Sequence, residues 1–333
     1  MSPDFLNFIE TFLNGLMAGV MYSLVALGFV LIFKASGIFN FAQGVMALFA
    51  ALTLVGFQTG QVPFAHLIRA IFGVEILHWG AGMPTILALI LTMGVMVALA
   101  FLIERLVLKH LVNQAPIILF MATIGLAWFL EGLGDLMWGA DIKPMDVGLP
   151  SGGSFWWEDL TATWAAQGSD YYGMYIDTLD VSAAIIAVAL VVALSLFSQY
   201  TATGRALRAV ADDHQAALSV GISLRRIWVI VWSLAGFVAL VAGILWGAKS
   251  GVQFSLSLIA LKALPVLILG GFTSIPGAIV GGLIIGVGEK LAEAYIGPLV
   301  GGAIENWFAY MLALAFLLFR PQGLYGEKII ERI

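Results

Sequence analysis

Few side chains in this sequence can do chemistry, and the densest group lies between Thr203 and Ile222, in TGRALRAVADDHQAALSVGI. Arg205, Arg208, Asp212, Asp213 and His214 fall within ten positions of a chain in which only 11% of residues are charged. None of the recognised reaction motifs accompanies them. No GxxxxGK[ST] is present, and Lys290 after GVGE lacks both the spacing and the Ser or Thr of a nucleotide loop. HExxH and the nucleophile elbow GxSxG are absent too. The four His residues, 66, 78, 110 and 214, have no ligand spacing, and with no Cys there is neither a thiolate metal site nor a disulfide. We therefore expect no metal, no cofactor and no catalysis by this chain. A charged run without a reaction motif reads as a handle for another protein.

The other candidates are sparse. Lys262 stands in the apolar run SLSLIALKALPVLILGG, about 10 Å along a helix counted from Ser255. A Lys at the centre of a membrane helix costs roughly 2.5–3.5 kcal/mol on insertion scales, so it must snorkel, pair, or line a polar pathway. Asn40 and Gln43 lie in KASGIFNFAQG, where Asn40 either caps the next helix or, with Gln43, faces a polar solute. Glu289, Glu293 and Glu305 read as solvated charges near the outer ends of their segments. Buried carboxylates are thus expected to be nearly absent, which disfavours a proton-coupled carrier. A filter loop such as TVGYG and an Arg ladder are missing, so a cation channel or a voltage sensor is unsupported.

The elements that hold these residues follow from hydropathy. Hydrophobic residues make up 61% of the chain and the mean hydropathy is +1.02. A soluble domain carries roughly 25% charged residues. The expected fold is all-α, a polytopic transmembrane helix bundle in one domain over 1–333. A span takes roughly 20 apolar residues. Nine stretches qualify: 5–33, 38–57, 84–103, 115–138, 181–198, 227–248, 256–271, 276–294 and 301–319, with the second and the seventh as the candidates for a broken or re-entrant element. The N-terminus MSPDFLNFIE has no basic region and reads as the start of a retained span rather than a signal peptide.

Lys and Arg concentrate in 104–110, 199–226 and the C-terminal tail, whereas 131–180 holds nine acids against Lys143. The positive-inside rule then places 199–226 and the C-terminus in the cytoplasm, 139–180 in the periplasm, and, with nine spans, the N-terminus outside. The 139–180 loop is rich in aromatic residues, an interfacial belt or a docking surface. Residues 203–222 form an amphipathic helix, with Leu207, Val210, Ala211, Ala217 and Leu218 on one face, Thr203 capping its start and Gly221 closing it. That face is mostly small, a weak lipid anchor, and suits a protein groove better. GxxxG spacings such as Gly15/Gly19 and Gly282/Gly286 permit close helix contact. GGFTSIPGAIVGG, residues 270–282, is either a broken helix pair or a hairpin turn.

Four blocks in order, NGLMAGVMYSLVALGFVLIFKASGIFNFAQG (14–44), GRALRAVADDHQAALSVGI (204–222), LKALPVLILGGFTSIPGAIVGG (261–282) and RPQGLYG (320–326), resemble the LivH-type permeases of branched-chain amino acid ABC importers. The 58–82 and 139–180 regions are longer than that family's compact loops. The resemblance implies an inner-membrane permease without an ATP site of its own. Its partners would be a LivM-like second permease subunit, two cytosolic ATP-binding subunits, a periplasmic substrate-binding protein and membrane lipid; no nucleic-acid partner is expected. The 204–222 block corresponds to the region that couples to the ATPase, giving coupling roles to Arg205, Arg208, Asp212, Asp213, His214 and Gly221. Asn40, Gln43 and Lys262 are the translocation-pathway candidates. Related systems carry urea or short-chain amides; an ion-coupled secondary carrier and a passive channel are the readings from other classes.

Overall fold

The computed structural model describes residues 2–73, 78–111, 114–150, 157–164, 173–212 and 214–326. Among them the fold is all-α, with isolated strand-like bridges that pair Gln61 with His78 and Lys143 with Val252. This is the expected answer for an apolar chain, because in lipid each backbone polar group must find its partner within the segment. The α-helices are α1 (Pro3–Ser36), α2 (Gln43–Thr59), α3 (Ala65–Phe72), α4 (Thr85–Leu106), α5 (Pro116–Trp138), α6 (Trp157–Ala162) and α7 (Thr178–Tyr200). They continue with α8 (Ala202–Asp212), α9 (His214–Ser219), α10 (Leu224–Ser250), α11 (Ile259–Gly270), α12 (Ile275–Tyr295), α13 (Gly297–Val300) and α14 (Glu305–Phe319).

All nine apolar stretches are helical, but they are not equal. Among the described residues six helices are long and apolar enough to cross a bilayer: α1, α4 with the turn to His110, α5, α7, α10 and α12. The other three, Gln43–Thr59, Phe254–Gly270 and Glu305–Phe319, are shorter than the roughly 20 residues a crossing takes. The membrane bundle stands; nine full crossings do not follow from it.

The described chain divides into two compact units. One is built from Leu27–Val147 and Ala193–Leu261. Its centre is α2, buried from Gln43 to Gly56 and packed on α4, α5 and α10. Small residues make this possible. Gly243 of α10 lies against the Ala47 carbonyl of α2, and the Trp138 ring of α5 fills the space that a side chain at Gly56 would take. A short buried helix ringed by longer ones is what an Ala- and Gly-rich segment can form and a Leu-rich one cannot.

The other unit comprises Met1–Ala26, Gly148–Val192 and Lys262–Ile333. Here the two GxxxG pairs meet each other: Gly15 and Gly19 of α1 face Gly282, Gly286 and Val287 of α12. A methyl group on Gly19 would sit 2.7 Å from the Gly282 carbonyl oxygen. The close approach lets Ser23 Oγ donate to the carbonyl of Ile279 at 3.2 Å. Residues 270–282 form a hairpin turn: α11 ends at Gly270, and Ser274 Oγ accepts from Gly277 N at 3.1 Å to cap α12. The RPQGLYG block closes onto the same turn, Leu324 N donating to Leu269 O (2.8 Å) and Tyr325 N to Gly270 O (3.1 Å). Two of the four blocks named above therefore complete one feature, the capped end of α11.

Candidate functional site

Helices α8 and α9 carry the charged run. Thr201, two residues ahead of the expected cap Thr203, opens α8: its Oγ1 accepts from Gly204 N at 2.9 Å. Gly204, Leu207, Val210 and Ala217 are buried, so the amphipathic reading holds for those positions, while Ala211 is half-buried and Leu218 is 53% exposed. Gly221 closes α9 with φ +84°. The N–H of Gly221 reaches Leu218 O and that of Ile222 reaches Ala217 O, both at 3.0 Å, the two bonds of a Schellman ending.

The two arginines turn back rather than out. Arg208 donates to Ser198 O at 2.6 Å and Gln199 O at 3.2 Å, and Arg205 donates to Tyr200 O at 3.1 Å. These are carbonyls of the last turn of α7, which have no partner within their own helix. The positive charges also oppose the negative end of the α7 dipole. Arg205 and Arg208 thereby fasten α8 to α7. The exposed residues of this segment include Arg205, Asp212, Gln215, Ala216, Leu218, Ser219 and Val220, with Val220 74% exposed. Asp213 and the side chain of His214 lie outside the described residues.

Asn40 and Gln43 come together in the unit centred on α2, where they are 0% and 1% exposed. Asn40 Oδ1 accepts from Ala42 N at 3.2 Å, an Asx turn in the loop rather than a cap on the helix. Its Nδ2 donates to Gln43 Oε1 at 3.3 Å, and Gln43 Nε2 donates to Ala235 O of α10 at 3.2 Å. Gly28 of α1 leaves the space that the Gln43 amide occupies. Thr123 Oγ1 ties the same loop to α5 through Phe39 O (3.0 Å) and Phe41 N (3.2 Å). Both amides are thus spent on protein partners, as buried polar groups must be.

Lys262 anchors the other polar centre. Its Nζ lies 2.6 Å from Glu289 Oε1, 3.4 Å from Glu305 Oε1 and 3.4 Å from Tyr22 Oη, while Lys290 Nζ holds Glu305 Oε2 at 2.9 Å. Four charges from α11, α12 and α14 sum to zero, with Tyr22 of α1 beside them. The expectation of a solvated rim carboxylate is overturned for Glu289, whereas Glu293 and Glu305 are half-buried. The Glu289 side chain is 1% exposed, and the Glu293 carboxylate caps α14 by accepting from Ala303 N (3.0 Å) and Glu305 N (2.9 Å). The reason is tertiary: Lys262 and Glu289 are 27 positions apart, and only the α11–α12 hairpin brings them together. A buried carboxylate exists after all, already neutralised by a lysine. Lys262 itself is 30% exposed.

Nothing in these clusters resembles a reaction centre; the arrangement is that of a helix bundle with a projecting polar segment. A family model described as the branched-chain amino acid transport system / permease component matches residues 11–320. The chain belongs to this permease family. Several relatives align along nearly the whole of both chains. The high-affinity branched-chain amino acid transport system permease protein LivH of Escherichia coli (strain K12) is 28% identical, with 100% of each chain covered. BraD of Pseudomonas aeruginosa, described in the same terms, is 28% identical over 99% of this chain and 100% of its own. A probable LivH of Methanocaldococcus jannaschii is 27% identical over 93% and 91%. All four blocks that carried the resemblance fall within or at the edge of the permease match.

Proposed function

We propose that this permease is the membrane subunit of an ATP-driven ABC importer that moves branched-chain or other hydrophobic amino acids across the bacterial inner membrane. The observation that carries the reading is the family match over residues 11–320. The geometry supports it from a second side. Leu218 at the end of α9 and Val220 in the turn after it are open to solvent near Asp212 in the sequence, and the arginines hold α8 on α7. An exposed apolar tip with an acidic neighbour, anchored at its root, is a docking shape for another protein.

In this reading two cytosolic ATP-binding subunits seat on Asp212, Asp213, His214 and the α9 tip, Arg205 and Arg208 transmit their motion to α7, and Gly221 fixes the exit angle. A LivM-like second permease completes the pathway and a periplasmic binding protein delivers the solute. The segment 199–226 and the C-terminus face the cytoplasm, and 139–180 and the N-terminus the periplasm. Asn40, Gln43 and Lys262 are the candidates for the translocation pathway. The case against an ion-coupled carrier now rests on the family and on the neutralised state of Glu289, not on a lack of buried acids.

Reconstitution tests this. In proteoliposomes holding both permeases, the ATPase subunits and the binding protein, uptake of labelled leucine, isoleucine or valine should require ATP inside the compartment that the ATPases face. Uptake by this chain alone, driven by an ion gradient, would overturn the reading. Uptake of urea or short amides in place of amino acids would correct the solute and leave the mechanism.

A further inference from the structure

Where α9 hands over to α10, the first turn of α10 makes one ionic contact with a helix distant in sequence. Arg225 Nε donates to Glu104 Oε2 at 3.1 Å. Glu104 lies in the last turn of α4 with its side chain 3% exposed, whereas Arg225 is 55% exposed and its guanidinium stands 5.8 Å over the Phe101 ring. Each charge is badly placed for its own helix. A carboxylate at a helix C-terminus and a cation at an N-terminus both work against the macrodipole. Each is acceptable only because it has the other. A pair chosen only to staple two helices would be written the other way round, with the acid on α10 and the base on α4.

Its position in the chain is equally specific. Ser223 caps α10, its Oγ accepting from Arg226 N, only two residues beyond the Schellman glycine that ends α9. One helical turn further along α10, Trp228 Nε1 donates to Ala35 O of α1 at 3.3 Å. The charged segment is therefore fastened at its entrance by Arg205 and Arg208 on α7 and at its exit by Arg225 on α4.

We propose that Arg225 and Glu104 are positioning residues for coupling: through their contact, displacement of α8–α9 is passed to α4. This rests on the function proposed above. The pair touches neither solute nor nucleotide in this account. Its loss should separate ATP hydrolysis from uptake rather than abolish either component.

The test uses the reconstituted complex and whichever of leucine, isoleucine, valine, urea or a short amide the wild type takes up best. Uptake, ATP hydrolysis, thermal midpoint and retention of the ATPase subunits are measured for Glu104→Gln, Arg225→Gln, the double variant and Arg225→Lys. Removing both charges leaves no uncompensated buried charge, so the double variant keeps the test readable even where a single one does not fold. Expected is a fall of tenfold or more in solute moved per ATP hydrolysed for the double variant, with hydrolysis within twofold of wild type and the ATPase subunits retained. Arg225→Lys, which keeps the charge without the planar fork, should recover part of the ratio. A merely structural pair predicts the opposite: the single variants lose both activities together and the double variant regains the wild-type ratio. That result overturns the inference. Failure of the underlying reading looks different, since wild-type uptake would then proceed without ATP.

Discussion

Replacing Lys262 with Met removes the cation that neutralises Glu289 while keeping an unbranched side chain of similar length. Glu289 is 1% exposed at its side chain and 2.6 Å from Lys262, so the variant leaves a carboxylate in an apolar bundle with its nearest partner gone. Breaking a buried pair by removing one member costs about 3–5 kcal/mol. The lower figure applies here, because Lys262 is 30% exposed and Lys290 remains nearby on the same helix as Glu289. For a chain of this size about 3 kcal/mol corresponds to roughly 4 °C in thermal midpoint. The double variant Lys262→Met, Glu289→Met removes both charges and should recover most of the loss, since an apolar pair of similar volume is often neutral against a buried ion pair. Thermal unfolding in one detergent or nanodisc, followed by tryptophan fluorescence, measures both. If Lys262→Met melts within about 1 °C of wild type, or if the double variant is no more stable than the single, the charges do not depend on each other and the argument fails.

Three further outcomes follow from single contacts. Gly19→Leu drives a side chain into the Gly282 backbone, so α1 and α12 must separate; overpacking of this kind costs about 1–3 kcal/mol or more, read as a lowered midpoint and a smaller monodisperse fraction. Leu218→Asp with Val220→Asp places charge on the exposed tip of α9 and should weaken retention of the ATPase subunits by tenfold or more in a pull-down, with the midpoint of the permease unchanged because neither side chain is buried. Lys143, outside the spanning helices, donates to Gln61 Oε1 at 2.9 Å, and burial holds its ammonium group below the usual lysine range against the opposing pull of Asp141. The folded state thus releases that proton before the unfolded state does. Stability relative to Lys143→Met should rise with pH as it climbs toward the ordinary lysine value of about 10.4, and a flat or falling difference would refute this.

Much of the bundle was legible in the sequence because the lipid-facing hydropathy signal is local. Each of the nine apolar stretches became a helix at close to its expected position. Their length as crossings was less legible: α2 fits inside its unit only because Gly243 and Gly56 admit a neighbouring backbone and a Trp138 ring, and no window of sequence records that. At the charged segment, the apolar face at Leu207 and Val210 and the terminal Gly221 followed from periodicity and turn chemistry. The direction of Arg205 and Arg208 did not, because their partners are carbonyls of the preceding helix, which carry no sequence signature.

Composition and hydropathy sufficed to make this chain an all-α membrane protein, and the four blocks of sequence carried its likeness to the permease family. Those are properties of residue type and near neighbours, and a linear chain displays them. The tertiary structure decided which polar groups are buried and with whom: Glu289 with Lys262, Glu104 with Arg225, Gln43 with the Ala235 carbonyl of α10. The energy of such pairs depends on burial and on distances of a few ångströms between residues tens to hundreds of positions apart, and only folding sets those quantities.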